Sequence, residues 1–211
     1  RPMIIRSRPM SRRSFLRASA AAGGGLVVAF HLPLAGDAVA QPAAAGTEVN
    51  AWVVVHPDDR VVIRIARSEM GQGTLTGLAQ LVAEELDADW ARVTTEFPTP
   101  GQNLARNRVW GNFGTGGSQG IRQSNDYVRK GGATARLLLV QAAADAWGVP
   151  ATDCRAVASV ITHVPSGRTT TYGRVATVAA KLTPPANVPL KDPTDWKLAG
   201  KPLARLDTSD K

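Results

Sequence analysis

The chain has 211 residues, of which 44% are hydrophobic and 20% charged, and it carries a formal net charge of +8. This length and composition indicate one large or two small globular domains and exclude a disordered chain. The positive charge by itself favours a nucleic-acid or acidic-membrane partner. Cys154 is the single cysteine, which excludes an internal disulfide framework, a cysteine-based zinc site and an iron–sulfur cluster held by this chain.

Residues 1–40 have the features of a bacterial twin-arginine export signal in the expected order. Arg12 and Arg13 stand in SRRSFLR, an apolar stretch follows at 18–34, and a small-x-small cleavage site ends at residue 40. The stretch is too short and too weakly apolar to predict a membrane-spanning helix. We therefore predict a signal peptide at 1–40 and a location in the periplasm or on the periplasmic face of the inner membrane. The alternative is a basic arm that binds nucleic acid or lipid.

The predicted signal accounts for most of the basic excess. Six of the 25 basic residues and one of the 17 acidic residues lie in 1–40, which leaves 19 and 16 and a net charge of +3 on the rest. No Lys/Arg run there is longer than Arg129-Lys130, and basic residues are interspersed with acidic ones, so we expect no nucleic-acid partner. Because the twin-arginine route exports folded proteins, commonly around a cofactor, the signal also favours a cofactor protein.

The first half of the remaining chain predicts strands around one helix. Residues 41–47 are typical of a flexible linker. β-branched runs at 50–56 and 60–66 flank a Pro-Asp-Asp turn and predict a hairpin. Apolar residues at intervals of three and four predict a helix over 74–86, and 92–97 predicts another strand.

The second half predicts a long helix and a second hairpin. Residues 98–117 have no clear period, and 118–147 have helical character with Gly131-Gly132 as a weak point. A hairpin is expected with strands at 155–163 and 168–171 around a turn at 165–167, followed by a short helix over 172–182. Together the elements predict an α+β domain over 48–182, with a mixed sheet, hairpins and two main helices that follow glycine-rich turns. Proline and lysine content indicates a linker over 183–211.

Residues 69–73 (EMGQG) lie between a predicted strand and a predicted helix. A helix N-terminus has unpaired N–H groups and a partial positive charge that suit a phosphate. Gln72 adds an amide suited to the edge of a heterocycle. A tight strand-to-helix turn without any ligand is the plainer explanation of this motif alone.

Residues 114–120 (GTGGSQG) again precede a predicted helix. Ser118 as a helix N-cap would explain part of this motif without a ligand, but four glycines in seven residues exceed what one cap needs. Neither motif is a Walker loop or a complete dinucleotide fingerprint. The pair therefore predicts one shared anionic, heteroatom-rich ligand, and a nucleotide-phosphate binder is one alternative.

The segments RSEMGQGTLTGLAQLVAEEL and GTGGSQGIRQSNDYVRKGGATARLLLVQAAADAWGV resemble the large molybdopterin-binding subunit of the xanthine oxidase family. The closer resemblance is to the exported branch related to isoquinoline 1-oxidoreductase β subunits and membrane-associated aldehyde dehydrogenases. It covers about residues 48–211, and the tail WKLAGKPLARLDTSDK is similar to the lead-in to the family's next domain.

The resemblance implies molybdopterin cytosine dinucleotide with molybdenum as cofactor. It implies two contacting segments, with Gln72 as a hydrogen-bond partner of the pterin: Met70, Gly71, Gln72 and Gly73, and Gly116, Gly117, Ser118 and Gln119. The implied activity is an oxidoreductase that hydroxylates aldehydes or N-heterocycles. Electrons would pass to a separate small iron–sulfur subunit, with a cytochrome c as a further acceptor.

One expected feature of the family is missing. Its catalytic glutamate stands in a Gly-x-Gly-Glu setting near the end of a much longer polypeptide, and no such motif occurs in these 211 residues. We therefore expect an N-terminal piece that is inactive alone and holds no catalytic residue and no metal ligand. The alternative is a stand-alone exported binding or scaffold domain without catalysis.

Other polar and aromatic residues are given structural roles. Their spacing matches no metal or catalytic pattern, and we expect Glu84, Glu85, Asp87 and Asp89 to form a solvated helix end. The remaining residues are expected in the core, in packing or at the surface: His31, His56, His163, Cys154, Trp110, Phe113, Gln123, Asn125 and Arg129. For Trp110 and Phe113, covering a planar ligand stays open beside the preferred core role.

Overall fold

The structure is a computed structural model that describes residues 45–208. The predicted signal peptide and most of the predicted linker at 41–47 lie outside these residues. In the described part of the chain, no helix combines the length and apolar character that a membrane span requires.

Four α-helices and two sheets make up residues 45–208. The helices are α1 (Thr74–Leu86), α2 (Pro100–Ala105), α3 (Gly120–Trp147) and α4 (Tyr172–Ala179). The strands are β1 (Thr47–Asn50), β2 (Val53–Val55), β3 (Val61–Arg64), β4 (Val93–Glu96), β5 (Cys154–Val157), β6 (Val160–His163) and β7 (Thr169–Thr171). The predicted α+β class is confirmed.

The first sheet has the order β1-β2-β3-β4. β2 and β3 form the predicted antiparallel hairpin, with Val54 opposite Val62. The predicted strand at 50–56 is wrong in one respect, because Asn50 ends β1 and turns the chain. Its Oδ1 accepts hydrogen bonds from the backbone N–H groups of Trp52 and Val53 at 2.9 and 3.0 Å, which favours a turn over a continuous strand.

β4 pairs with β3 in parallel, and α1 is part of the connection between them. Parallel neighbours need such a crossover, since a tight turn cannot join them. The turn from β3 into α1 contains the EMGQG motif, so the motif lies between a strand and a helix as predicted.

Helix α2 lies in the stretch that we predicted to be irregular. It begins with a capping box, in which Thr99 Oγ1 accepts from Gln102 N at 3.2 Å and Gln102 Oε1 accepts from Thr99 N at 2.7 Å. Pro100 occupies the first turn, where its missing N–H costs nothing. Six residues are too few for a helical period to appear in the sequence. The capping residues Thr99 and Gln102, however, would have indicated a helix start.

Helices α1 and α3 run side by side in the same direction. Gly120 faces Thr74 at their N-terminal ends, and Gly132 faces Val82 and Glu85 further along. A Cβ at Gly132 would collide with the carbonyl oxygen of Val82. The predicted weak point at Gly131-Gly132 is therefore wrong: α3 is continuous there, and the glycines permit close packing that outweighs their low helix propensity.

The second sheet has the order β5-β6-β7, with both pairs antiparallel. A two-residue turn at Ala158 and Ser159, both with positive φ, splits what we predicted as one strand over 155–163. Residues of both sheets and of α1, α3 and α4 share one hydrophobic core. Tyr172 is fully buried in it and donates from Oη to the carbonyl oxygen of Leu86 at 2.6 Å.

Glu84 and Glu85 do not form the solvated helix end that we expected. They are 2% and 0% exposed, because the chain after α4 returns to cover them. Glu85 Oε1 accepts from Arg129 Nε at 2.8 Å. Lys191 Nζ lies 3.2 Å from Glu84 Oε1 and 2.6 Å from Asp87 Oδ1. Each buried acid at the end of α1 thus has a basic partner, which offsets the cost of its burial.

Glu84 also fixes the C-terminal segment, defined here as residues 191–207. Its Oε2 accepts from the backbone N–H groups of Lys197, Leu198 and Ala199 at 2.8, 2.6 and 3.2 Å. Burial opposes ionisation, but these bonds and the Lys191 ammonium outweigh it and hold the pKa of Glu84 below its ordinary value. The segment has the irregular backbone expected of a linker, yet it is attached to the domain. Whether it leads to a further domain stays a prediction.

We expect Gly132→Ala to destabilise the fold by about 2 kcal/mol, because a backbone oxygen cannot swing away from the added methyl group. The gain in helix propensity, about 1 kcal/mol at most, does not offset this. Urea denaturation measures the difference. Gly101→Ala in α2 is the control, since the nearest atom to its Cβ would lie at 3.9 Å, and equal losses for both variants would contradict the packing argument.

We expect Glu84→Gln to lower the unfolding free energy by about 3 kcal/mol at neutral pH, because it removes a buried charge that its partners require. The folded-state pKa is lowered, so the stabilisation is complete above the ordinary carboxyl pKa of about 4.3. It is lost as pH falls through that value toward the lower pKa of the folded state.

The difference between wild type and Glu84→Gln should therefore shrink in denaturation series on the acid side of that window. The exposed Asp126→Asn, which removes a surface ion pair with Lys130, should change stability by no more than about 0.5 kcal/mol. A Glu84→Gln effect that is independent of pH would contradict the assignment.

Candidate functional site

Two glycine-containing loops lie next to each other at one end of the domain. The first glycine loop comprises residues 68–73 and precedes α1; the second comprises residues 114–119 and precedes α3. Ser68 N donates to Thr115 Oγ1 at 2.9 Å, and a Cβ on Gly120 would lie 3.2 Å from Thr74 Cγ2. The parallel packing of the two helices thus brings together the two motifs that the sequence analysis singled out.

The side chain of Arg67, the residue directly before the first loop, bonds to the second loop and to α3. Its Nε donates to Ser124 Oγ on α3 at 2.9 Å, and its Nη1 donates to the carbonyl oxygen of Gly114. Tyr127 Oη also bonds Ser124 Oγ, at 2.6 Å. Sequence reasoning missed Arg67, although a charged residue between an apolar strand and a glycine motif was an available signal.

The carboxylate of Glu69 occupies the N-terminus of α1. It accepts from the N–H groups of Gly71, Gly73 and Leu75 at 2.7, 3.0 and 2.9 Å. Burial opposes its ionisation, but these three bonds prevail and lower the pKa of Glu69. Three of the N–H groups at and before this helix N-terminus, which we expected to be open to a phosphate, therefore already have a partner from the chain.

Arg205 of the C-terminal segment covers the first loop. Its Nη2 lies 3.2 Å from Glu69 Oε1, and its Nη1 donates to the carbonyl oxygen of Gly71 at 3.0 Å. Asp207 holds the same guanidinium at 2.7 Å. Hydrogen bonds to Glu69 and to Arg205 thus both hold the first loop in place.

Gln72 closes the first loop through its own amide. Its Oε1 accepts from Met70 N at 2.6 Å, and its Nε2 donates to Ser68 O and Thr74 Oγ1 at 2.8 and 2.9 Å. Met70 projects into solvent and is 72% exposed. Contact between Gln72 and a pterin stays a prediction, and the structure adds a second role for this amide in shaping the loop.

The second loop is more open. Gly116, Gly117 and Ser118 are exposed, and both Gly117 and Ser118 have positive φ. The N-cap of α3 is Gln119, so the suggestion that Ser118 is the cap is wrong. No described side chain caps α3 by a hydrogen bond. The two helix N-termini therefore differ: Glu69 accepts from Gly73 N and Leu75 N at the start of α1, and no described side chain accepts from the first N–H groups of α3.

A cavity of about 380 Å³ adjoins the first loop, and Phe113, which directly precedes the second loop, also lines it. Arg67 and Glu69 contribute polar groups to it, and Phe97 and Phe113 contribute apolar walls. Phe113 thus stands where it can cover a ligand. Trp110 is 3% exposed, with its Nε1 bonded to the carbonyl oxygen of Ala51, which confirms its core role.

Several other residues considered in the sequence analysis have structural roles. Arg129 belongs to the buried charge network at Glu85, and His163 is buried and bonded to Ser166 at 2.6 Å. Burial raises the pKa of the Cys154 thiol, as expected of a packed residue. His31 lies outside the described residues. Within residues 45–208, no group of three or more His, Cys, Asp or Glu side chains is arranged as a metal site.

Two helix N-termini, each preceded by a glycine-containing loop, thus lie side by side at one end of the domain. The chain belongs to the molybdopterin cofactor-binding domain family, whose model matches residues 8–207. The family predicted from the two glycine motifs is thereby confirmed.

Individual relatives agree with this assignment. The chain is 36% identical over 176 residues to the isoquinoline 1-oxidoreductase subunit beta of Brevundimonas diminuta, across 82% of this chain and 22% of that protein. It is 28% identical over 201 residues to the membrane-bound aldehyde dehydrogenase (pyrroloquinoline-quinone) of Gluconacetobacter polyoxogenes, across 90% of this chain and 25% of that protein. The chain therefore spans about a quarter of the length of these curated relatives.

Among solved structures, the Cu,Mo-CO dehydrogenase aligns with 63% of this chain and 18% of its own, at 19% identity and a TM-score of 0.44.

We expect Glu69→Gln to loosen the first glycine loop, because one amide oxygen replaces two carboxylate oxygens that accept three N–H bonds. Stability should fall by about 2 kcal/mol, and the amides of Gly71, Gly73 and Leu75 should exchange hydrogen faster. Hydrogen-exchange mass spectrometry reads this directly. The exposed Asp145→Asn on α3 is the control, and unchanged protection of the loop in Glu69→Gln would contradict the role of the carboxylate.

Proposed function

We propose that the two glycine loops contact a molybdenum-containing molybdopterin cofactor, and that the complete protein is an oxidoreductase of the molybdenum hydroxylase class. The observation that carries the proposal is the placement of both loops side by side at the N-termini of two parallel helices, in a chain of this family. The chain spans about a quarter of the length of its relatives. The enzymatic activity is therefore proposed for the complete protein and not for this domain alone.

The residues present fit such a cofactor. The second loop is exposed, α3 has no side-chain cap, and a Cβ at Gly116 would meet nothing within 4 Å, so an anionic group has room to approach backbone N–H groups. At the start of α1 the carboxylate of Glu69 already accepts from Gly73 N and Leu75 N. We therefore propose the second loop, at Gly116, Gly117, Ser118 and Gln119, for the phosphate end. The first loop, at Met70, Gly71, Gln72 and Gly73, is proposed for the pterin side.

When bound, the cofactor supplies the redox chemistry that hydroxylates an electrophilic carbon of an aldehyde or N-heterocycle. The part of this chain is to bind and orient it, and we propose no catalytic residue among those described. The names of the two relatives, an isoquinoline 1-oxidoreductase and an aldehyde dehydrogenase, support these two substrate classes.

We further propose the cytosine dinucleotide form of the cofactor, a small iron–sulfur subunit as electron acceptor and a cytochrome c beyond it. Support for a multi-subunit enzyme comes from the relative that is named as a subunit beta. Export by the twin-arginine route to the periplasm or the periplasmic membrane face is proposed from residues 1–40, and a membrane-bound relative is compatible with it.

Expression from the complete gene in a molybdenum-competent host tests the proposal. We expect about one molybdenum per polypeptide by elemental mass spectrometry, and release of cytidine monophosphate on acid hydrolysis. Gln72→Ala should lower the molybdenum content, because the amide that closes the first loop is lost. Gln141→Ala, at an exposed site near the other end of α3, should not. Wild-type protein without molybdenum would contradict the proposed function.

A further inference from the structure

Two arginines near the end of β3 are buried to the same degree but have different partners. Arg64 and Arg67 are 8% and 9% exposed. Arg64 lies 2.6 Å from Glu48 and 2.7 Å from Glu96, so two carboxylates compensate its charge. Arg67 has no carboxylate within salt-bridge distance anywhere in the described residues 45–208.

A buried cation without a counter-charge is costly, and proteins normally pair it. The partners of Arg67 are neutral: the hydroxyl of Ser124 and the carbonyl oxygen of Gly114. Glu69 lines the same cavity, but its oxygens already accept three backbone N–H bonds and face Arg205. The charge of Arg67 is therefore left for something outside the described chain to balance.

The surroundings of Arg67 indicate which kind of group would balance its charge. Its Nη2 has no hydrogen-bond partner among the described residues. This atom also keeps some access to solvent. Arg67 is one of the residues that line the cavity of about 380 Å³ beside the first glycine loop, together with the apolar residues Phe97 and Phe113. Apolar walls strengthen the attraction between a cation and an entering anion. A guanidinium is also the side chain best suited to the planar, forked recognition of a phosphoryl group.

We propose that Arg67 is an anion-binding residue that contacts a phosphoryl group of the ligand held by the two glycine loops. The identity of that ligand rests on the proposed function; the anion-binding role does not. Its bonds to Gly114 and Ser124 couple the charge of the bound anion to the position of the second loop and of α3. Inorganic phosphate offers the same chemistry as a cofactor phosphate, so the test must separate the two sources.

The first arm uses the full chain without cofactor and inorganic pyrophosphate as the probe. At about ten times its Kd, pyrophosphate should raise the wild-type Tm by about 3 °C relative to sodium chloride of equal ionic strength. Arg67→Gln should weaken pyrophosphate binding more than about tenfold and abolish this rise. Arg67→Lys, which keeps the charge but not the fork, should retain part of it. Arg174→Gln, at an exposed arginine on α4, is the control and should respond as wild type.

The readout is the pyrophosphate-dependent change in Tm, which a purely structural role of Arg67 would not alter. A variant that is less stable but gains as much from pyrophosphate as wild type would overturn the proposal. So would a wild-type chain that shows no rise.

The second arm measures molybdenum per polypeptide in protein expressed from the complete gene. If Arg67→Gln loses both the pyrophosphate response and most of its molybdenum, the phosphoryl group is that of the cofactor. If it loses the response but keeps its molybdenum, the anion is free phosphate and the cofactor assignment of Arg67 is overturned. Wild type that lacks molybdenum but responds to pyrophosphate refutes the proposed function and supports the anion site.

Discussion

Helices α1 and α3 approach each other at Gly132 with no side chain between them, and the placement of both glycine loops depends on this contact. A side chain there would push the helices apart, and their N-terminal ends would move with them. The bonds from Ser68 to Thr115 and from Arg67 to Gly114 and Ser124 connect the segment before α1 with the second loop and α3. Such bonds tolerate only small changes in distance. A local packing requirement in mid-helix therefore determines the geometry of the site at the helix ends.

The opposite ends of these helices are fixed by charge. Glu84, Glu85 and Asp87 meet Lys191, Arg129 and Arg136 in a largely buried network of balanced charge. Apolar residues of the same volume would contribute comparable stability, because ion pairs lose hydration on burial. A carboxylate, however, also accepts backbone N–H groups, and Glu84 uses three of them to direct the C-terminal segment across α1. That segment places Arg205 in contact with the first glycine loop. The network thus supports the site as well as the fold.

Periodic features of the sequence predicted the fold well, and features that depend on distant residues were missed. The bounds of α1, Thr74–Leu86, agree with the prediction because its apolar period runs uninterrupted. Glu84 and Glu85 were misjudged because their partners lie some hundred residues later in the chain. Gly131-Gly132 was misjudged because helix propensity is local, whereas close packing is not. The site loops were found through composition, but Arg67 requires the tertiary structure to show that it has no counter-charge.

The two helix N-termini show how similar local motifs acquire different roles. Each offers unpaired N–H groups and a partial positive charge, and each follows a glycine-rich turn. At α1 the chain supplies its own carboxylate, so the first loop is preformed without a ligand. At α3 no described side chain supplies one, and the nearby buried Arg67 adds a further uncompensated positive charge. Both effects favour an anion at the second loop over the first. The first loop can therefore hold its shape while the second responds to what binds.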